Sequence, residues 1–334
     1  MNVNHVESAL LRLISHSLFE TENSPALSLQ EEEWKSLLAV SEVLGVSVMA
    51  FQGALSIDPA TLPKYLPDAW SELAFRRSER SERVLAEQAL LTHYLHEERI
   101  PLLFLADTAA AAYYPAPALR TLKCTDCLCD RPFAKVSIPD TFEFPLNVKH
   151  SLAVDQKDAL ESARIRSMLA RALDSVAEKQ IGDYTLPVPS IAVQALLLLL
   201  EAEKKPSLLL LADWAVLHQY ALTSQEINLE MQVRSWEQCG LLPTARLLSL
   251  TASIAFSLEK SDWFADADQS EAEALLAKLL TPDGDKLARA QKNLEIAMQH
   301  ASRPPKVTKV QKVKKNSSEK NSLARFFGGL FKKK

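Results

Sequence analysis

Apolar residues at 5–19 (Val6, Leu10, Leu13, Ile14 and Leu18) recur at helical spacing, which predicts an amphipathic first helix. Ser24, Pro25 and Ser28 interrupt it. A second pattern over 29–44 turns Trp34, Leu37, Leu38 and Val43 to one side, and Gly45 stands where a helix C-cap is expected. Further helices are predicted over 46–55 and 70–98. The periodicity then changes. Ile100 to Leu105 is a short apolar run and reads as a buried strand. A short helix from Ala106 to Tyr114 is stopped by Pro115 and Pro117. Strands follow over 121–129, 142–153 and 184–188, with helices at 156–179, 190–204, 207–222, 225–239, 242–258, 270–280 and 284–301. All β-like runs fall between 100 and 190, where Leu102–Ala106 and Leu122–Cys129 are expected to be neighbouring strands.

The pattern divides the chain into a helical region at 1–99, a sheet region at 100–190 and a helical region at 191–302. Residues 303–321, PPKVTKVQKVKK and its surroundings, form a basic stretch without aromatics, expected to be a disordered linker. Residues 322–334 form a final amphipathic helix. The expected fold class is α+β, mainly helical, with a small mixed sheet flanked by helices. Only 7 glycines in 334 residues fit that helical bias.

Charge sharpens the division. Of the 38 Lys and Arg residues, 11 lie in 303–334 beside one acid, Glu319, so this stretch carries +10. The remaining 27 basic and 41 acidic residues leave the body at −14. An acidic body argues against nucleic acid as a partner. The N-terminus lacks the basic region of a secretory signal, and the longest apolar run, Ile191–Leu200, is too short to span a bilayer. A reducing cytoplasm is the expected compartment for the four cysteines.

In the C-terminal segment Leu323, Phe326, Phe327, Leu330 and Phe331 recur at helical intervals and make one apolar face, with Arg325, Lys332, Lys333 and Lys334 supplying charge. Gly328 and Gly329 each cost about 1 kcal/mol in a helix, so the helix is expected to form mainly when bound. Three surfaces suit it: an anionic membrane at the inner face of the cytoplasmic membrane, a groove on a membrane-associated partner protein, or the acidic body itself. The membrane is the leading expectation.

Other constellations point to chemistry less strongly. Cys124, Cys127 and Cys129 have ligand-like spacing, but on a strand the last two face away from the first, so buried apolar cysteine is the expected reading. His93 and His96 could share a metal on one helix face, and read instead as surface histidines. Arg76, Arg80 and Arg83, with Arg77 beside them, form a stripe interleaved with Glu79 and Glu82, which reads as a salt-bridged face rather than a phosphate receptor.

The order of three segments, EEEWKSLLAVSEVLGVSVMAF, ERIPLLFLADTAAAAYYPAPALRTLKCTDCLC and LPVPSIAVQALLLLLEAEKKPSLLLLADWAVL, resembles the uncharacterised nucleotidyltransferase-like family found near bacterial polysaccharide and surface-biosynthesis genes. The resemblance covers about residues 5–255. It implies a nucleotidyltransferase-type sheet whose first strand ends in Lys-Gly, followed by Tyr-Pro, an Arg and an Asp-x-Asp strand. Here Ala106-Asp107 stands at Lys-Gly, Tyr114-Pro115 and Arg120 match, and Cys124-Thr125-Asp126 stands at Asp-x-Asp. A histidine near His150 also fits and could orient the site, or form a structural hydrogen bond.

Two carboxylates at i and i+2 on a strand share a face and can hold Mg²⁺ against a triphosphate. Cys124 is a poor Mg²⁺ ligand, and Asp107 replaces a glycine that would approach phosphate. A carboxylate about 4 Å from a phosphate charge repels it by roughly 4 kcal/mol at an effective dielectric of about 20. The resemblance therefore implies a pseudoenzyme without a cofactor, acting as an adaptor in surface-polysaccharide assembly. The alternative is an active enzyme with Mg²⁺ on Asp126, the one metal-ligand candidate matched to the motif, or on a shifted pair with Asp107, and Arg120 near the phosphates.

Overall fold

The computed structural model describes residues 4–19, 27–57, 62–64, 66–131, 142–152, 154, 158–224 and 226–301. Three helices, α1 (His5–Phe19), α2 (Glu31–Val43) and α3 (Ser47–Ala54), open the chain and feed the long helix α4 (Leu66–Glu97). The helix boundaries agree with the hydrophobic periodicity to within about four residues. α1 and α3 approach so closely that a side chain at Gly53 would place its Cβ 2.1 Å from the backbone oxygen of Leu13. At this crossing glycine is a packing requirement rather than a helix weakness.

A three-stranded mixed sheet follows: β1 (Leu102–Phe104), β2 (Thr125–Cys129) and β3 (Leu146–Lys149), with the short helix α5 (Ala106–Ala111) between the first two. β1 pairs antiparallel with β2, Leu103 opposite Leu128. β2 pairs parallel with β3, Asp126 opposite Asn147. The two-residue alternation of a strand divides the sheet between two cores. Leu103 and Leu128 join the main helical core, whereas Leu102, Phe104, Cys127 and Cys129 pack beneath α4 with Val84, Leu91 and Leu95.

Helix α6 (Ala159–Ala170) is capped by the Asp158 side chain, which accepts from Leu160 and Glu161 N–H. The helix expected over 156–179 is corrected here: it ends at Ala170, and Val176–Ile181 is a strand, β4, paired antiparallel with β5 (Tyr184–Pro189). Gly182-Asp183 forms the two-residue turn, with Gly182 at positive φ. The sheet expectation is corrected in two further ways. The strands at 121–129 and 142–153 are shorter than read, and the fourth pairs in a separate hairpin.

The C-terminal half is helical: α7 (Ile191–Lys204), α8 (Leu208–Thr223), α9 (Leu229–Gln238), α10 (Leu242–Phe256), α11 (Gln269–Leu280) and α12 (Gly284–Ala301). Ser207, Asn228 and Asp268 cap α8, α9 and α11 with their side-chain oxygens. α12 returns to lie across α2 and α4. Trp214, Trp236 and Trp263 pack in series with tilted rings, the centroids of consecutive pairs 5.5 Å apart, and His218 packs against Trp263 and Phe264. Burial pushes the His218 imidazole down to about 4.

Candidate functional site

The motif residues Asp107, Tyr114 and Arg120 converge, and the point of convergence is a fourth residue, Asp213 of α8. Arg120 follows a 3₁₀ turn, Pro117–Leu119, whose proline sets the backbone for the bend. Its side chain runs into the protein and is 5% exposed as a residue, like Tyr114, while Asp213 is 6% exposed. Arg120 Nε donates to Asp213 Oδ1 at 2.8 Å and Nη2 donates to Oδ2 at 3.0 Å, a bidentate pairing of planar groups. Nη2 also donates to Asp107 Oδ1 at 2.9 Å, Nη1 to the Thr121 carbonyl at 3.3 Å, and Tyr114 Oη donates to Asp213 Oδ1 at 2.7 Å.

Electrostatics follow from that geometry. Burial pushes the Asp213 carboxyl up, against the pull of Arg120. Burial alone would lower the Arg120 guanidinium, but Asp213 and Asp107 outweigh it and hold it charged. Tyr114 is raised by burial and by the Asp213 charge, so its hydroxyl stays a donor. One cation faces two carboxylates. Burial, and after it the Asp213 charge, raises the Glu201 carboxyl of α7 as well.

Asp107 therefore does not present a free negative charge where a phosphate would sit; it is a partner of Arg120. The turn that places it is strained. Ala106, the first residue of α5, has φ +49°, a left-handed conformation that costs an L-residue about 1–2 kcal/mol. In the same way, Arg120 is not poised over a ligand, because four of its five N–H donors are spent on protein acceptors.

Asp126 is separate. It lies on β2, half-buried, and accepts from Asn147 Nδ2 at 3.2 Å. The Cys124 thiol donates to its other oxygen at 3.3 Å. Cys124 and Asp126 thus share one face, as positions i and i+2 require, although Cys124 stands just before the strand. Burial and the Asp126 carboxylate push the Cys124 thiol up to about 11, so it carries its proton at neutral pH. This donor set does not fit the Mg²⁺ of an Asp-x-Asp pair. One position is a protonated soft sulfur turned toward the surviving carboxylate, and the nearby Asp107 is bonded to Arg120. Among the described residues no three His, Cys, Asp or Glu side chains gather as a possible metal-ion site.

The remaining candidates are distributed. Cys127 and Cys129 are fully buried beneath α4. His93 is exposed and lies 3.4 Å from Glu97 one turn on, and His96 is exposed. His150 Nδ1 lies 3.3 Å from the Cys129 carbonyl, a structural hydrogen bond between β2 and the end of β3. The arginine stripe of α4 is engaged by protein: Arg76 pairs with Glu72, Arg77 with Glu42, Arg80 donates to the Lys123 carbonyl, and Arg83 donates to both oxygens of Glu143. Arg80 and Arg83 lie 5.3 and 5.6 Å from the ring centre of Phe144. Leu323, Arg325, Phe326, Phe327, Leu330, Phe331 and Lys332 to Lys334 lie outside the described residues, as does the linker expected over 303–321.

Three members of the buried cluster are motif residues, whereas Asp213 stands within the third segment of the resemblance without being singled out there. A signal for it exists: Asp213 is the single charged residue in the apolar run Leu208–Leu217, and an acid in such a helix needs a buried partner. Among the described residues no helix is long and apolar enough to cross a membrane. Comparison of the chain with protein families, with curated proteins and with solved structures finds no match.

Proposed function

We propose that the chain is a non-catalytic adaptor: a nucleotidyltransferase-like body used as a binding scaffold, brought by residues 322–334 to the inner face of the cytoplasmic membrane, in the assembly of surface polysaccharide. The observation that carries the non-catalytic reading is the closed ion-pair cluster of Arg120, Asp213, Asp107 and Tyr114. A site that transfers a nucleotidyl group must offer its cationic donors to phosphate. Here four of the five donors of the motif arginine are satisfied by protein, and opening them would leave the buried Asp213 carboxylate facing the neutral Tyr114 hydroxyl in place of its cation. The cluster thus supports a role in fixing α8 against the sheet region. The place at the membrane is supported by the +10 charge of residues 303–334 and by the five apolar residues that segment 322–334 sets on one helical face.

Isothermal titration of the intact protein with Mg-ATP and the other Mg-nucleoside triphosphates tests the first half. No binding below about 1 mM is expected, weaker than the usual enzyme range. Saturable heats at micromolar nucleotide, lost in Asp126→Ala, would favour the alternative, an active enzyme with its site shifted to Asp107 and Asp126. Co-sedimentation with phosphatidylserine-containing vesicles tests the second half. Binding should weaken with salt and be lost in Phe326→Asp/Phe327→Asp.

A further inference from the structure

Between α2, the first half of α4 and α12 runs a groove of about 780 Å³. Leu38, Val43 and Leu73 line it from α2 and α4, and Leu294 and Ile296 from α12. Ile296 is 45% exposed, a branched apolar residue left uncovered beside an apolar groove. Glu42 also lines it. One of its carboxylate oxygens pairs with Arg77, while the other, Oε1, is buried and has no hydrogen-bond partner. The groove therefore presents an apolar surface with a rim of mixed charge, Glu42 and Glu72 beside Arg76, Lys286 and Arg289, and its natural occupant has an apolar face of helical length.

We propose that this groove is the docking site of the chain's own segment 322–334. The inference rests on reading that segment as an amphipathic helix, and it gives the helix a second place that competes with the membrane. The groove residue Ile296 lies five residues before the last residue of α12, about 7.5 Å along a helix axis. Twenty residues, 302–321, then separate α12 from the segment. A linker of that length spans roughly 25 Å on average, enough to turn back along α12. The tether makes the contact intramolecular, at an effective concentration in the millimolar range for a short linker. Leu323, Phe326, Phe327, Leu330 and Phe331 supply the i, i+3, i+4 and i+7 anchors of helix-in-groove binding. The apolar face that enters the groove is the one that would enter a membrane. Docking and membrane binding exclude each other, and the groove sets how much anionic surface is needed to recruit the protein.

The test uses the full chain. Ile296→Cys is combined with Phe327→Cys, and disulfide closure under mild oxidation is compared with a control pair, Leu90→Cys with Phe327→Cys, since Leu90 is 55% exposed on the later half of α4. Closure at 296 is expected to be about tenfold faster than at 90 and independent of protein concentration. In parallel, Ile296→Glu, a change at an exposed position, should raise the bound fraction on phosphatidylcholine vesicles containing phosphatidylserine about threefold. Equal closure rates at 296 and 90 overturn the proposal. Closure that rises with protein concentration assigns the groove to a second copy and overturns it too, as does a co-purifying small molecule retained by Phe326→Asp/Phe327→Asp. Where the wild type binds vesicles, unchanged binding by Ile296→Glu also counts against it. If 296 and 327 close rapidly while neither wild type nor Ile296→Glu binds vesicles, the groove stands and the membrane reading falls.

Discussion

The chain holds two arginine assemblies, each pairing guanidinium with carboxylate beside an aromatic ring, with opposite physical characters. Around Arg120, a guanidinium, two carboxylates and a phenol are withdrawn from water and bonded to one another. Along α4, Arg80 and Arg83 meet Glu143, Phe144 and a carbonyl at the surface, with the Arg83 and Glu143 side chains 50% and 57% exposed. In the first case the cost of desolvation ties every member to the others. In the second, water competes for each contact and the arrangement is a local brace. An ion pair can look the same on paper in both places, and burial decides whether removing one partner is tolerated.

The largest expected effect tests the buried assembly. Asp213→Ala leaves Arg120 with Asp107 as its only carboxylate, in a site from which water is excluded. A loss of about 3–5 kcal/mol is expected, read as a lower urea midpoint with little change in the slope. If Asp213→Ala unfolds within 1 kcal/mol of wild type, roughly the worth of an exposed pair, the contrast between the two assemblies collapses.

A buried ionisable group can also stay neutral instead of finding a partner, and His218 takes that course. Its folded value of about 4 lies below the usual 6.5, so between those limits the unfolded chain binds more protons than the folded one. The stability it permits is complete above pH 6.5 and is lost as pH falls toward 4, by roughly 3 kcal/mol in all. His218→Gln should flatten that part of the stability profile. An unchanged acid slope in the variant would show that the imidazole titrates as if in water.

The helical part of this architecture was legible because amphipathic periodicity depends on one face of one segment. The intervals read for α1, α7, α8 and α10 to α12 begin and end within about two residues of the observed helices. β4 was misread because Val176–Ile181, with Glu178, Lys179 and Gln180, has the composition of a solvated helix end. It becomes a strand through its pairing with β5, including Lys179 opposite Leu186, which is a tertiary fact. The candidate site was half legible for a similar reason. Asp107, Tyr114 and Arg120 lie within fourteen residues of sequence and could be read as a motif. Asp213 is 93 residues away from Arg120, and only the packing of α8 reveals that the motif arginine is turned inward.

Within the buried assembly the members should rank by their replaceability. Asp107→Ala removes one of three carboxylate bonds to Arg120, from a side chain that is 21% exposed, and leaves Asp213 in place. A loss of about 1–1.5 kcal/mol is expected, the net worth of one hydrogen bond, and the double variant with Asp213→Ala should be non-additive because both remove the same partner. Equal losses for the two single variants would mean that Arg120 does not distinguish them.

The smallest effect is expected at the surface. Arg83 donates to both Glu143 oxygens from one nitrogen, at 3.0 and 2.9 Å, and its guanidinium lies beside Phe144. Arg83→Ala removes the pair and one of two cations near that ring, while Arg80 keeps its own place there and its bond to the Lys123 carbonyl. The backbone N–H of Glu143 remains bonded to Glu87, a buried acid of α4, so the approach to β3 does not depend on the arginine. A change of at most about 1 kcal/mol is expected, shrinking further in high salt because exposed charges are screened. A larger, salt-insensitive loss would mean that the stripe on α4 is held as tightly as Arg120, and that exposure alone does not separate the two assemblies.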